Sequence, residues 1–150
     1  MKAIDTRYLR IAIEEAEKAN QKGEVPVGAV IVHDGDVIAV GYNLTETNHD
    51  PTAHAEIVAI RRACQKLESW RLFDASIYVT LEPCPMCIGA IINAKISRLV
   101  FGAYDDRYGA AVSKINMPEL FPEYGRLQVI GGLLKEDCQR LLERFFAIRR

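Results

Sequence analysis

The chain has 150 residues, of which 49% are hydrophobic and 26% charged, with four cysteines, three histidines and a net charge of −1. That length suits one compact domain with its own core, and the apolar fraction excludes a disordered chain. Near-neutral charge argues against a protein that coats nucleic acid by bulk electrostatics, and with no apolar run of about 18 residues no transmembrane helix is expected.

The first residues pass straight into an amphipathic pattern without a signal-peptide apolar region, so the cytoplasm is the expected compartment. A first helix is expected from near Thr6, with Leu9, Ala12, Ile13, Ala16 and Ala19 as its apolar stripe and Gly23 as its stop. Val27 to Val32 reads as a buried strand. The turn His33-Asp34-Gly35-Asp36 leads to a second strand, Val37 to Tyr42, and makes a hairpin. A polar loop ending in Asp50-Pro51-Thr52 hands over to a helix whose buried side carries Ile57, Val58, Ile60, Ala63, Cys64 and Leu67. Ser76 to Thr80 is a third strand, Pro83 to Asn93 a short helix opened by proline, and Arg98 to Gly102 a fourth strand. After an irregular stretch, Leu127 to Ile130 is a fifth strand. Residues 135–148 close the chain as a helix with Cys138, Leu141, Leu142, Phe145 and Phe146 facing inward.

Strands alternating with helices point to an α/β fold, a three-layer α/β/α arrangement around a five-stranded sheet. The hairpin makes that sheet mixed. No repeat or linker interrupts the chain, so residues 1–150 form one domain. Charge is uneven, with an acidic front and a basic back. The last helix contributes Arg140, Arg144, Arg149 and Arg150, either a solvated face or a phosphate-binding patch.

Chemistry concentrates in two short segments, Pro51-Thr52-Ala53-His54-Ala55-Glu56 and Glu82-Pro83-Cys84-Pro85-Met86-Cys87. Each opens a helix. Cys84 and Cys87 lie one turn apart, so both sulfurs can face one point, and a helix N-terminus favours the thiolate. Cys-x-x-Cys alone also fits a redox motif. His54 at the start of the other helix adds a nitrogen, and the resulting set of one nitrogen and two sulfurs suits zinc. A closed structural site needs a fourth protein ligand. His33 and His49 fall in a turn and a loop, Cys64 and Cys138 on core faces, and Met86 and Met117 read as packing. The site therefore reads as open, with water in the fourth position. Glu56, two residues after His54, can reach that water without binding the metal, an arrangement suited to hydrolytic attack on an electrophilic carbon.

His54-Ala55-Glu56 with Pro83-Cys84-Pro85-Met86-Cys87 resembles the signature of the zinc-dependent cytidine/deoxycytidylate deaminase superfamily. Flanking segments narrow the resemblance to the bacterial tRNA-specific adenosine deaminases: Val25 to Val30, Gly41-Tyr42-Asn43, Asp50 to Ile57, Trp70-Arg71-Leu72, Tyr78 to Cys84, Phe101-Gly102-Ala103 and Phe145 to Arg150. The resemblance implies a cytidine deaminase-like fold, one zinc per subunit on His54, Cys84 and Cys87, and Glu56 as proton shuttle. It further implies that Asn43 hydrogen-bonds the base while Val27 and Ala55 line its pocket. The implied substrate is the wobble adenosine of a tRNA anticodon stem-loop, attacked at C6 by zinc-activated hydroxide and converted to inosine by a homodimer.

One stretch departs from that family. After Gly109-Ala110-Ala111 the family continues with Gly-Ser or Gly-Thr and then Leu-Met, whereas Val112-Ser113-Lys114-Ile115-Asn116-Met117-Pro118 stands here. Glu119 to Gly125 also lacks the family's Asn-His step. A deaminase of a free base or nucleoside (guanine, cytosine or adenosine) is the alternative this departure keeps open. A non-catalytic zinc-stabilised RNA-binding module is a third reading, opposed by the open ligand set and Glu56.

Overall fold

Helix α1 (Lys2–Gln21) is followed by strands β1 (Gly28–His33) and β2 (Asp36–Tyr42), then α2 (Ala55–Leu67), β3 (Ser76–Leu81), α3 (Pro85–Asn93) and β4 (Arg98–Ala103). A short α4 (Met117–Leu120), a 3₁₀ turn (Pro122–Tyr124), β5 (Gln128–Ile130) and α5 (Lys135–Ile148) complete the chain. This is a computed structural model and it describes residues 2–124 and 126–149. Met1, Gly125 of the divergent segment and Arg150 of the basic cluster lie outside the described residues. Among the described residues no helix is long and apolar enough to cross a membrane.

The sheet runs in the order β2-β1-β3-β4-β5. β1 pairs antiparallel with both β2 and β3, while β3, β4 and β5 are mutually parallel. Five strands and a mixed sheet match the sequence reading. Alternation along each strand divides the core between two faces. Ile31, Ile77, Val79, Leu99 and Phe101 meet α2 and α3 on one side, with Ile88 and Ile91. Val30, Val32, Tyr78 and Val100 meet α1 and α5 on the other, with Leu9, Ala12 and Cys138.

Two glycines let helices lie directly on the sheet. A Cβ on Gly28 would stand 2.0 Å from the Ala12 carbonyl oxygen, and one on Gly41 would stand 2.7 Å from that of Ala55. The second contact matters for function, since Ala55 begins the helix that carries the candidate site. It also explains a difference from the sequence reading of α2. Small residues, Ala55, Ala59 and Ala63, face the sheet here. Ile57, Ile60 and Cys64 are only half-buried, and Leu67, in the last turn before the left-handed Glu68, is exposed.

Helix α1 starts at Lys2 rather than near Thr6. Asp5 suits a first turn through the helix dipole and is buried in an ion pair with Arg98 at 2.5 Å, with Tyr78 donating to it at 2.7 Å. In α5, Cys138, Leu141 and Phe145 are buried as expected, but Leu142 is half-buried. Phe146 is exposed and packs edge-on against Phe145. Arg140 pairs with Asp137, Arg144 lies 3.7 Å from Glu17, and Arg149 covers the Phe145 ring. These three arginines therefore form a partnered helix face rather than a cluster of unanswered positive charge.

Candidate metal centre and substrate cavity

The two helices that carry the site begin alike. His54 is the N-cap of α2 and Cys84 the N-cap of α3, both in extended backbone, and neither side chain caps its own helix. Pro85 occupies the first turn of α3, where a missing N–H costs nothing. Both side chains are thus free to point across the gap between the helices. His54 Nδ1 lies 3.6 Å from Cys84 Sγ and 3.5 Å from Cys87 Sγ. One donor atom from each of the three residues falls within a 4.8 Å group that can hold a metal ion.

The spacing can be checked against an ion. Tetrahedral zinc at ~2.3 Å from sulfur and ~2.0–2.1 Å from nitrogen sets an S···N separation of roughly 3.6 Å. Both separations agree with that value, so the imidazole stands at a zinc-compatible distance from each sulfur. Electrostatics point the same way. A hydrogen bond from Cys87 holds the Cys84 thiol down at about 4, helped by His54, and the same sharing pushes Cys87 up. His54 is raised in turn by its hydrogen bond with Cys84. Cys64 and Cys138 stand apart from this group, as do His33, which ends β1 rather than lying in the turn, and the exposed His49. Met117 packs against the core, whereas Met86 is exposed rather than packed.

Glu56 follows in the first turn of α2 and is 4% exposed. Burial pushes its carboxyl up to about 7, against the pull of its own backbone N–H and of His54. It borders a cavity of about 440 Å³ shared with His54, Cys84, Asn43, Val27 and Ala55. The structure thus gathers the residues singled out from sequence around one cavity, with Cys87 buried just behind it. Asn43 is fixed there, accepting from the Thr45 N–H at 3.2 Å and donating to the Val25 carbonyl at 3.5 Å.

The same cavity is lined by Val25, Thr45, Leu81, Glu82, Asp105 and Tyr108, none of which sequence reasoning assigned to the site. Two of its walls are loops tied down by buried carboxylates. Glu24 accepts from the N–H groups of Glu46 and Thr47, at 3.2 and 2.6 Å. Glu82 accepts from the N–H groups of Asp105, Ala111, Val112 and Ser113, at 2.8 to 3.2 Å, and from the Ser113 hydroxyl. Burial works to raise both carboxyls. The hydrogen bonds, from Thr47 and Ser113 first, outweigh it and hold both below the ordinary carboxylate range. A glutamate at the end of an apolar strand was the available signal for Glu82. Glu24, beside a helix-stopping glycine, offered none.

Through Glu82 the departing segment becomes intelligible. Val112 and Ser113 hang from that carboxylate, and no described residue from 109 to 123 lines the cavity. Among the described residues of 103–123, the lining is Asp105 and Tyr108. Among the described residues, then, the divergent stretch hangs from Glu82 behind the cavity wall and supplies none of its lining.

Comparison with known proteins agrees with this geometry. A family model described as MafB19-like deaminase matches residues 4–136. A tRNA-specific adenosine deaminase of Bacillus subtilis is 44% identical over 142 residues, covering 95% of this chain and 88% of that protein. One of Haemophilus influenzae is 45% identical over 148 residues, covering 98% and 86%. A solved structure from studies of A-to-I editing by tRNA:A34 deaminases superposes with a TM-score of 0.87 at 43% identity, covering 91% of this chain and 99% of the other. A guanine deaminase from Nitrosomonas europaea shares the fold at 24% identity, with a TM-score of 0.82 and coverage of 95% and 84%. With more than two fifths of its residues matched along nearly its whole length, the chain belongs to the tRNA-specific adenosine deaminases, within the MafB19-like deaminase family.

Proposed function

We propose that the protein hydrolyses the wobble adenosine of a tRNA anticodon loop to inosine and ammonia. The carrying observation is the buried carboxylate of Glu56 in the same cavity as the His54–Cys84–Cys87 donor set, in a chain whose relatives bear that activity's name. His54, Cys84 and Cys87 would hold one zinc per subunit. Bound there, zinc supplies a water activated at neutral pH.

This chain's own residues do the rest. Asn43 hydrogen-bonds the base, and Val27 and Ala55 form apolar walls that fix its plane. Glu56, which is not a metal donor, accepts a proton from the attacking water and delivers it to N1 of adenine. It then assists departure of the amine as the C6–N bond breaks. The water oxygen remains on C6, and the nitrogen leaves as ammonia. The target base must leave its stack to enter, and a single-stranded anticodon loop keeps that cost low. A homodimer is the working form that the family resemblance implies. The cytoplasm is the location proposed with it.

A second reading, deamination of a free base or nucleoside such as guanine, cytosine or adenosine, rests on one feature. Asp105 at the cavity mouth and the adjacent exposed Asp106 place negative charge where a polyanion would arrive. Incubating zinc-loaded protein with an anticodon stem-loop and sequencing the product separates the two. Inosine at the wobble position supports the tRNA reading. Unchanged RNA, with ammonia released from a small purine or pyrimidine, replaces it with the second.

A further inference from the structure

Tyr108 belongs to the cavity wall with His54 and Glu56, yet the residue is 60% exposed. Its ring therefore stands at the rim, with part of its surface free to meet something outside. The backbone beneath it is fixed. Tyr108 N–H donates to Asp105 Oδ1 at 3.1 Å, Gly109 N–H to the Asp105 carbonyl at 2.9 Å, and Ala110 N–H to the Pro83 carbonyl at 2.8 Å. Glu82 anchors both ends of this turn, at Asp105 and at residues 111–113. A ring presented from so constrained a loop loses little further freedom when it binds. The Arg107 guanidinium lies over one face of the ring, 5.5 Å from its centroid, which leaves the other face for a base. An exposed aromatic face next to a cation is what single-stranded nucleic acid meets in proteins that stack bases and neutralise the backbone.

We propose that Tyr108 is a specificity-determining residue that stacks on the nucleobase adjoining the target base, with Arg107 beside it for the intervening phosphate. The inference rests on the tRNA reading above. Asn43 and Glu56 act on the base inside the cavity; Tyr108 acts on its neighbour outside. The ring thereby favours a nucleotide chain over a free base.

The test uses zinc-loaded wild-type protein, Tyr108→Leu and Tyr108→Phe, with an anticodon stem-loop carrying adenosine at the wobble position. A matching stem-loop has 2-aminopurine beside the target. Tyr108→Leu is expected to raise KM about tenfold, the scale of one lost base–aromatic stack, and to leave kcat within about twofold. Tyr108→Phe should keep wild-type KM. Quenching of 2-aminopurine on binding should occur with wild type and Phe and be lost with Leu. If the wild type converts the RNA and Tyr108→Leu matches it in KM and quenching, this proposal falls and the tRNA reading stands. If Tyr108→Phe is as impaired as Tyr108→Leu, the hydroxyl is responsible and stacking is overturned. A wild type that neither binds nor converts the stem-loop overturns both readings.

Discussion

His54 Nδ1 and Cys87 Sγ lie 3.5 Å apart across 33 residues of sequence, within reach of a single ion. The N-termini of α2 and α3, where His54 and Cys84 are the N-caps, make the meeting possible. Removing one partner leaves a pair of donors that cannot close around an ion. Cys87→Ala and His54→Ala should each reduce zinc from about one per chain to near none, read by elemental analysis after gel filtration. Glu56→Ala should keep its zinc and lose turnover by a factor of about 10²–10⁴, the usual worth of a positioned acid–base group.

Glu82 joins the turn that carries Cys84 to the loop that carries Asp105 and Tyr108. Glu82→Gln replaces an acceptor-only carboxylate by an amide whose NH₂ faces N–H donors. Stability should fall by about 2 kcal/mol in urea unfolding, since buried donors are left without acceptors. Limited proteolysis should newly cut within residues 105–113, while zinc content stays unchanged.

Gly109 offers an independent probe of the same loop. A Cβ there would stand 2.4 Å from both the Asp105 carbonyl oxygen and Glu82 Cδ. Gly109→Ala should therefore cost about 1–3 kcal/mol, as forced overpacking does. The added methyl pushes on the loop that bears Tyr108, so KM for RNA should rise as well.

Much of this was legible beforehand, and the failures share a cause. Period-two runs such as Ile77 to Val79 and the turn at Asp34-Gly35 gave the hairpin and five strands, because those signals are local. That His54, Cys84 and Cys87 come together was legible because two short motifs each name their chemistry. Asp5, Glu24 and Glu82 were not, since a buried carboxylate looks like a surface one until its distant partners are known. The inward face of α2 was misjudged for a related reason. Gly41 brings the helix so close that alanines, not Ile57 or Leu67, fill the contact.

The acid limb of stability tests one of those buried carboxylates. The hydrogen bond from Arg98 holds Asp5 below its ordinary value of 3.8. A carboxyl depressed in the folded state stabilises fully above its unfolded value and loses that contribution as pH falls through the folded one. Wild-type protein should therefore lose this contribution only below about pH 3.8, and Asp5→Asn should flatten that part of the profile. At pH 7 the variant should unfold about 3 kcal/mol more easily, because Arg98 is left buried without its anion. Chemical denaturation at several pH values measures both.

The central claim is that a zinc deaminase site in this chain acts on a base presented by RNA. The most direct measurement compares kcat/KM of the zinc-loaded protein for an anticodon stem-loop with that for free adenosine, guanine and cytosine, following ammonia and product together. The account predicts one ammonia per inosine formed and a preference for the stem-loop of at least about a hundredfold, equivalent to ~2.7 kcal/mol of added transition-state binding. Equal or greater efficiency on a free base, with the stem-loop unchanged, would contradict it.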